Sequence, residues 1–182
     1  MKHQVINFNN KSIDIFDNLF SFSEISHYEI FINQSIFRVG GNDKGFIPDF
    51  ISQQIYSKFS EADVEQMKFV ESDGYKFLEK EFNLNYKNTK QIRVNLSTSS
   101  ERNNLHTDGL DGKTLIYYPN SVWKIEWSGH TMFMDEHLEN VKYTCLYKPG
   151  RVVLFDSQIP HMILTPNSFC PVNRYSLVFQ YK

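Results

Sequence analysis

His106-Thr107-Asp108 sets an imidazole and a carboxylate two positions apart, and His161 supplies a second imidazole in Pro160-His161-Met162. In extended backbone, residues i and i+2 point to the same side. The first pair therefore reaches one point, and His161 brought to that point completes a two-histidine, one-carboxylate set. Such a set holds non-haem Fe(II) on one face and leaves the opposite face open for substrate chemistry. Alone, the tripeptide is a weak signal, because Asp108-Gly109 is also a good turn dipeptide. His161 alone reads as well as a core imidazole bonded to a backbone carbonyl.

Arg174, thirteen residues after His161, opens the run Arg174-Tyr175-Ser176-Leu177-Val178-Phe179. Arg174, Ser176 and Val178 share a face if the run is a strand. An arginine inside a β-structure needs a fixed anion. A dicarboxylic cosubstrate held in a bidentate pair meets that need, and so does a structural Asp or Glu on an outer face. The pattern alone leaves both readings open.

These side chains need a scaffold, and composition bounds it. The chain has 182 residues, 41% hydrophobic and 15% aromatic, with 16 Phe and 10 Tyr. That is enough for one domain with a thick core and excludes a disordered chain. Nineteen Lys and Arg stand against 21 Asp and Glu, a net charge of -2, with no long basic run. Neither a nucleic-acid nor a membrane partner is expected. Cys145 and Cys170 make no dense disulfide framework, so two reduced thiols in a cytoplasmic protein are expected. The segment Met1-Lys2-His3-Gln4-Val5 lacks the apolar core of a signal peptide, and no apolar stretch is long enough to span a bilayer.

Along the chain, Val5–Phe8, Ile13–Phe16 and Tyr28–Ile32 read as strands, with a short helix between Asp17 and Ser26, and Gly40-Gly41-Asn42-Asp43 reads as a break. Pro48 is expected to open a helix through Phe50, Ile51, Ile55 and Phe59. Ser60 reads as an N-cap, with Val64, Met67 and Val70 at helical spacing. Asp73-Gly74 reads as an interruption, after which Tyr75, Leu78 and Phe82 resume a helical face. From Gln91 the pattern is β, with strands expected at Ile92–Leu96, Lys113–Tyr118, His130–Met134, Thr144–Tyr147, Arg151–Phe155 and Tyr175–Tyr181. Short strands punctuated by Pro and Gly predict a β-barrel or jelly roll.

The motif order carries a family resemblance. His106-Thr107-Asp108 is followed by Leu115-Ile116-Tyr117-Tyr118-Pro119-Asn120, Trp127-Ser128-Gly129-His130-Thr131, Lys148-Pro149-Gly150-Arg151-Val152-Val153-Leu154-Phe155, Pro160-His161 and Arg174-Tyr175-Ser176. In this order they resemble the catalytic core of prolyl-hydroxylase-like Fe(II)/2-oxoglutarate dioxygenases over Gln91 to Tyr181, about half the chain. The resemblance implies a double-stranded β-helix (jelly-roll) core over 91–182; with the N-terminal strands and supporting helices read over 1–90, the expectation is a mainly β (α+β) fold in a single domain spanning 1–182. It implies Fe(II) on His106, Asp108 and His161, and 2-oxoglutarate with its distal carboxylate on Arg174. Tyr118 stands where the family often places a phenol on that carboxylate. Ser176 and Asn95 are candidates for further cosubstrate or substrate contacts.

The implied reaction consumes O2 and 2-oxoglutarate, releases succinate and CO2, and places a hydroxyl on an unactivated C–H. Asp108 argues for hydroxylation, since a related halogenating type lacks the carboxylate. The implied substrate is a protein or peptide residue, proline by analogy. A small molecule (a free amino acid, sugar or metabolite) is the alternative, and a non-catalytic metal-binding β-helix is a third reading. The lead-in Ser97-Thr98-Ser99-Ser100-Glu101-Arg102-Asn103-Asn104 departs from the family's Tyr- and Gly-containing segment, which weakens the expectation of peptidyl-proline. Trp123 and Trp127 read as a hairpin lid, and Arg38 and Lys44 as residues that either greet an anionic substrate or are solvated.

Overall fold

Every residue of the last strand, Arg174–Tyr181, is buried, so the sheet that contains it is covered on both faces. The computed structural model describes residues 1–8, 10–43, 52–101, 103–109 and 111–182. Eleven strands among the described residues form two antiparallel sheets. They are β1 (Lys2–Phe8), β2 (Lys11–Asp17), β3 (Arg38–Asp43), β4 (Ser52–Phe59), β5 (Thr89–Ser97), β6 (Lys113–Tyr117), β7 (Thr131–Met134), β8 (Val141–Cys145), β9 (Val152–Asp156), β10 (His161–Ile163) and β11 (Arg174–Tyr181). The larger sheet runs β1-β2-β9-β6-β11-β5-β4-β3, and the smaller runs β10-β7-β8. This is the mainly β, jelly-roll architecture expected from the sequence, with the N-terminal strands added at both edges of the larger sheet.

Strand periodicity divides the apolar residues between two cores. Tyr117, Leu115, Val152, Leu154, Leu177 and Phe179 face the helices. Tyr118, Ile116, Val153, Phe155 and Val178 face the smaller sheet, where Phe133 and Cys145 meet them. The adjacent tyrosines of the β6 end thus serve opposite faces, as period 2 requires. The helices α1 (Phe22–Asn33), α2 (Glu61–Gln66) and α3 (Asp73–Phe82) cover the first core. Phe69, Tyr28, Phe20 and Tyr117 pack there with ring centroids 5.0 to 5.9 Å apart, in the edge and tilted arrangements aromatic rings prefer.

Several local expectations are corrected. Tyr28–Ile32 is helical: a capping box of Ser21 and Glu24 starts α1, and Ile25, Tyr28 and Ile32 make its buried stripe. Gly40-Gly41 is no break, since it lies within β3 at a register irregularity between Gly40 and Asn42. Ile55 and Phe59 lie on a strand, β4, because pairing with β5 outweighs their helical spacing. Pro48, Phe50 and Ile51 fall outside the described residues. Ser60 caps α2 with Asp63, as its position suggested. Asp73-Gly74 begins α3 instead of interrupting it, under an N-cap from Ser72, and a Cβ at Gly74 would meet the Leu19 carbonyl oxygen at 2.7 Å. The strand expected over Thr144–Tyr147 lies earlier, at β8. No described helix is long and apolar enough to cross a membrane, and Cys145 and Cys170 are free thiols.

Candidate metal centre

The backbone itself draws the two histidines together. His106 N–H donates to the His161 carbonyl at 3.0 Å, and His161 N–H returns a bond to the His106 carbonyl at 2.9 Å. This isolated antiparallel bridge joins the loop before β6 to the first residue of β10 and leaves the ring centroids 4.5 Å apart. Asp108 N–H donates to the Ser157 carbonyl at 2.9 Å, which ties the same loop to the turn between β9 and β10.

Each imidazole is oriented alike. Nδ1 of His106 donates to the Asn104 carbonyl at 2.9 Å, and Nδ1 of His161 donates to the Ile159 carbonyl at 3.0 Å. The proton on Nδ1 leaves the Nε2 lone pair for a metal. Nε2 of His106 lies 3.7 Å from Asp108 Oδ1, and Nε2 of His161 lies 3.6 Å from Oδ2. The ligand atoms of all three residues fall within 4.8 Å of one another. Gln180 Nε2 donates to Oδ1 at 2.6 Å, and Thr114 Oγ1 donates to Oδ2 at 2.7 Å. Burial raises the Asp108 pKa, but His161, His106 and the Thr114 hydroxyl outweigh it and the carboxyl is held below its usual value. Burial lowers the His161 pKa, against the pull of Asp108. A neutral imidazole beside an ionised carboxylate is the state a divalent cation takes up.

Arg174 is fully buried on the same inner face of β11 as Gln180. Its Nε donates to the Gly129 carbonyl at 2.7 Å and its Nη1 to Ser176 Oγ at 3.4 Å. Its guanidinium carbon stands 4.9 Å from the Tyr147 ring centroid and 5.4 Å from that of Tyr118. Nη2 is buried without a hydrogen-bond partner, and no carboxylate pairs with Arg174 among the described residues. Burial lowers its pKa despite the surrounding tyrosines. Tyr118 lies behind this group, fully buried, its hydroxyl 2.8 Å from Thr131 Oγ1. Ser176 and Asn95 stand opposite each other in the β11–β5 register. Asn95 is 8% exposed and its Oδ1 has no partner.

Trp123 and Trp127 form no hairpin. A 3₁₀ turn at Ile125–Trp127 connects them, and Trp123 packs at 4.4 Å on Tyr147 while its Nε1 donates to the Ser128 carbonyl. Gly129 follows with φ +77, and a Cβ there would lie 2.8 Å from Trp123 and 3.1 Å from Arg174 Cδ. Arg38 is exposed on β3, opposite Tyr56, and Lys44 is outside the described residues.

Sequence reading passed over Gln180, Thr114, Arg93 and Asn103. A cleft opens at the three metal-site residues and is lined by Arg93, Asn95, Asn103, Ile116 and Val178 among others. Strand parity was the available signal. Gln180 shares a face with Arg174, and Arg93 shares one with Asn95.

No family model matches the sequence, and no curated protein matches it. Solved structures do. A prolyl-4-hydroxylase from Pseudomonas putida superposes with TM-score 0.66 at 12% identity, covering 93% of this chain and 92% of that one. A prolyl hydroxylase from Trichoplax adhaerens, in complex with a hypoxia inducible factor oxygen degradation domain peptide fragment, gives 0.67 at 17% identity, over 93% and 82%. The non-heme α-ketoglutarate-dependent epimerase SnoN from nogalamycin biosynthesis gives 0.63 at 12% identity, over 92% and 76%. The chain therefore has the fold of prolyl hydroxylases and other 2-oxoglutarate oxygenases. The resemblance seen in motif order extends to three dimensions.

Proposed function

We propose that this protein is an Fe(II)/2-oxoglutarate-dependent dioxygenase that hydroxylates an unactivated C–H bond, built as a single domain over 1–182. The observation that carries the reading is Arg174. A fully buried guanidinium with an unpartnered Nη2 is an incomplete ion pair, and it shares the inner face of β11 with the Gln180 that braces the metal site. A carboxylate completes it. The donor set of His106, Asp108 and His161 suits Fe(II), two imidazoles and one carboxylate leaving the opposite positions open. When bound, iron and 2-oxoglutarate together with O2 supply the oxidising power for the C–H bond, and succinate and CO2 are the coproducts.

The chain's own contribution is positioning. His106 and His161 present Nε2 because backbone carbonyls hold their Nδ1 protons. Asp108 is kept ionised by His161, His106 and Thr114, and it is oriented by Gln180 and Thr114. Arg174 fixes the distal carboxylate from a site walled by Tyr118 and Tyr147, where low dielectric strengthens the pairing. Ser176 steadies the guanidinium, and Asn95 faces the substrate side.

A peptide residue, proline by analogy, is supported by the Trichoplax neighbour and its peptide. A small-molecule substrate is supported by the polar side chains of Arg93, Asn95 and Asn103 that line the cleft. Aerobic incubation with Fe(II) and 2-oxoglutarate tests the reaction class. Succinate is expected to form above the level of the His106→Ala variant, and no difference between the two across broad peptide and metabolite panels overturns the reading.

A further inference from the structure

One half-buried carboxylate near Arg174 has no part in the site described so far. Glu101 lies between β5 and β6 and sends its side chain back to the end of β5. Its Oε1 accepts the Ile55 amide of β4 at 3.2 Å. Ile55 pairs with Leu96 of β5, next to Ser97, whose hydroxyl also donates to the Glu101 carboxylate. Ser97 stands opposite Arg174 in the β5–β11 register, and side chains so placed share a face, with Cβ atoms about 5 Å apart. Glu101 is thereby held at the Arg174 end of the face that carries Ser176 and Asn95. Its Oε2 is buried without a hydrogen-bond partner, as is Nη2 of Arg174.

Two buried, orphaned atoms of opposite charge thus stand near each other without a bond between them, and each charge acts on the other. Burial raises the Glu101 pKa, against the Ser97 and Ile55 hydrogen bonds and the Arg174 charge. The other titratable groups about the guanidinium are Tyr118, Tyr147 and Cys145, and His130, whose pKa is lowered by burial and by the Arg174 charge. A cosubstrate carboxylate on Arg174 neutralises the charge that holds Glu101 ionised and sets a second carboxylate beside it. Two carboxylates on one guanidinium in a low-dielectric site do not both ionise. A shared proton turns their repulsion into a hydrogen bond, with the acid O–H as donor and a carboxylate oxygen as acceptor.

We infer that Glu101 is a second binding residue for the distal carboxylate of the cosubstrate, acting as the neutral acid, so that 2-oxoglutarate enters together with one proton from solvent. This assignment rests on the dioxygenase reading above. The proton joins the Glu101–carboxylate pair, and no other covalent bond forms or breaks. Because binding takes up a proton, affinity falls as pH rises wherever free Glu101 is ionised and the bound pair still holds its proton, by up to about tenfold per pH unit.

The test uses the full chain loaded with redox-inert Zn(II) and calorimetric titration with 2-oxoglutarate at about pH 7, in buffers of different ionisation enthalpy, which counts the protons taken up. Wild type is expected to take up about one proton more than Glu101→Gln, whose amide N–H donates without titrating. His130 and the metal-site histidines are present in both proteins, so their contribution cancels in the difference. The Gln variant is expected to bind more tightly than wild type above neutral pH and to lose most of the pH dependence. Glu101→Ala, which has no donor, is expected to bind about 10-fold or more weakly than Glu101→Gln, with metal affinity unchanged in both. Equal proton uptake by wild type and the Gln variant overturns the inference, as does equal affinity in the Gln and Ala variants. The first of these results is also what Glu101 swinging away as an anion would give. If neither variant folds, absence of proton uptake by wild type alone overturns it. All of these leave the dioxygenase reading standing, and failure of 2-oxoglutarate to bind overturns both.

Discussion

At the scale of single residues, the site is a set of hydrogen bonds whose removal has separable effects. Arg174→Lys keeps the charge but loses the planar fork that donates to Gly129 and lies against Tyr147 and Tyr118. Its 2-oxoglutarate affinity is expected to fall by about 1.5–3 kcal/mol, roughly 10- to 150-fold, and titration of the Zn(II)-loaded variant measures this. Gln180→Leu and Thr114→Val each strip one bond from Asp108. Divalent-metal affinity is expected to drop about 10- to 100-fold in each, read by competition with a chromophoric chelator. Unchanged affinity in both means that Asp108 does not depend on them. The pH response has a definite sign. His161 has a lowered pKa in the folded chain, so the unfolded chain takes up the proton first as pH falls through about 6.5. The stability it confers is whole above that value and lost below it. The metal-free protein should therefore show a falling thermal midpoint between pH 7 and 5, with a shallower fall in His161→Asn.

At the scale of elements, the loop after β6 sets the place of the Arg174 side chain. Gly129 has φ +77 and sits against both Trp123 and the Arg174 side chain. Gly129→Ala is expected to cost about 1–3 kcal/mol in strain and to weaken 2-oxoglutarate binding more than metal binding. Equal losses of the two, measured by titration, count against a selective effect on Arg174. The strands near the site were legible because β5, β6, β9 and β11 keep period 2, which set Arg174, Ser176 and Val178 on one face. His161 was legible only as a distal imidazole, because β10 has three residues and its bridge to His106 is a long-range pairing with no local pattern. The N-terminal half read less well. Tyr28-Glu29-Ile30-Phe31-Ile32 has strand-forming residues, but the Ser21–Glu24 cap and the buried stripe decide for α1. Ile55 and Phe59 fit a helical stripe, yet β5 offers them an edge to pair with. Local preference is a weak guide where tertiary pairing competes.

At the scale of the whole molecule, the larger sheet separates stability from chemistry. The helix-side core holds Phe69, fully buried among Phe20, Tyr28, Tyr75, Tyr117 and Phe179. Phe69→Ala is expected to cost about 3–5 kcal/mol, seen as a lower denaturant midpoint, while the folded fraction keeps its metal affinity. A matching loss of metal affinity would show that the two cores are not independent. The opposite face carries the site on one continuous strand. Along β11, Gln180 braces the Asp108 carboxylate, Val178 lines the cleft, Ser176 meets the guanidinium and Arg174 supplies it. The strand is thus a ruler with a two-residue graduation, spacing the Asp108 end from the Arg174 end. A single-residue insertion between Ser176 and Gln180 would turn one end of the scale toward the helices and present an aromatic or aliphatic side chain in its place. On the proposed reading, the length of a molecule reaching from Asp108 to Arg174 is thereby written into strand parity, and drift in this strand's length cannot be absorbed gradually.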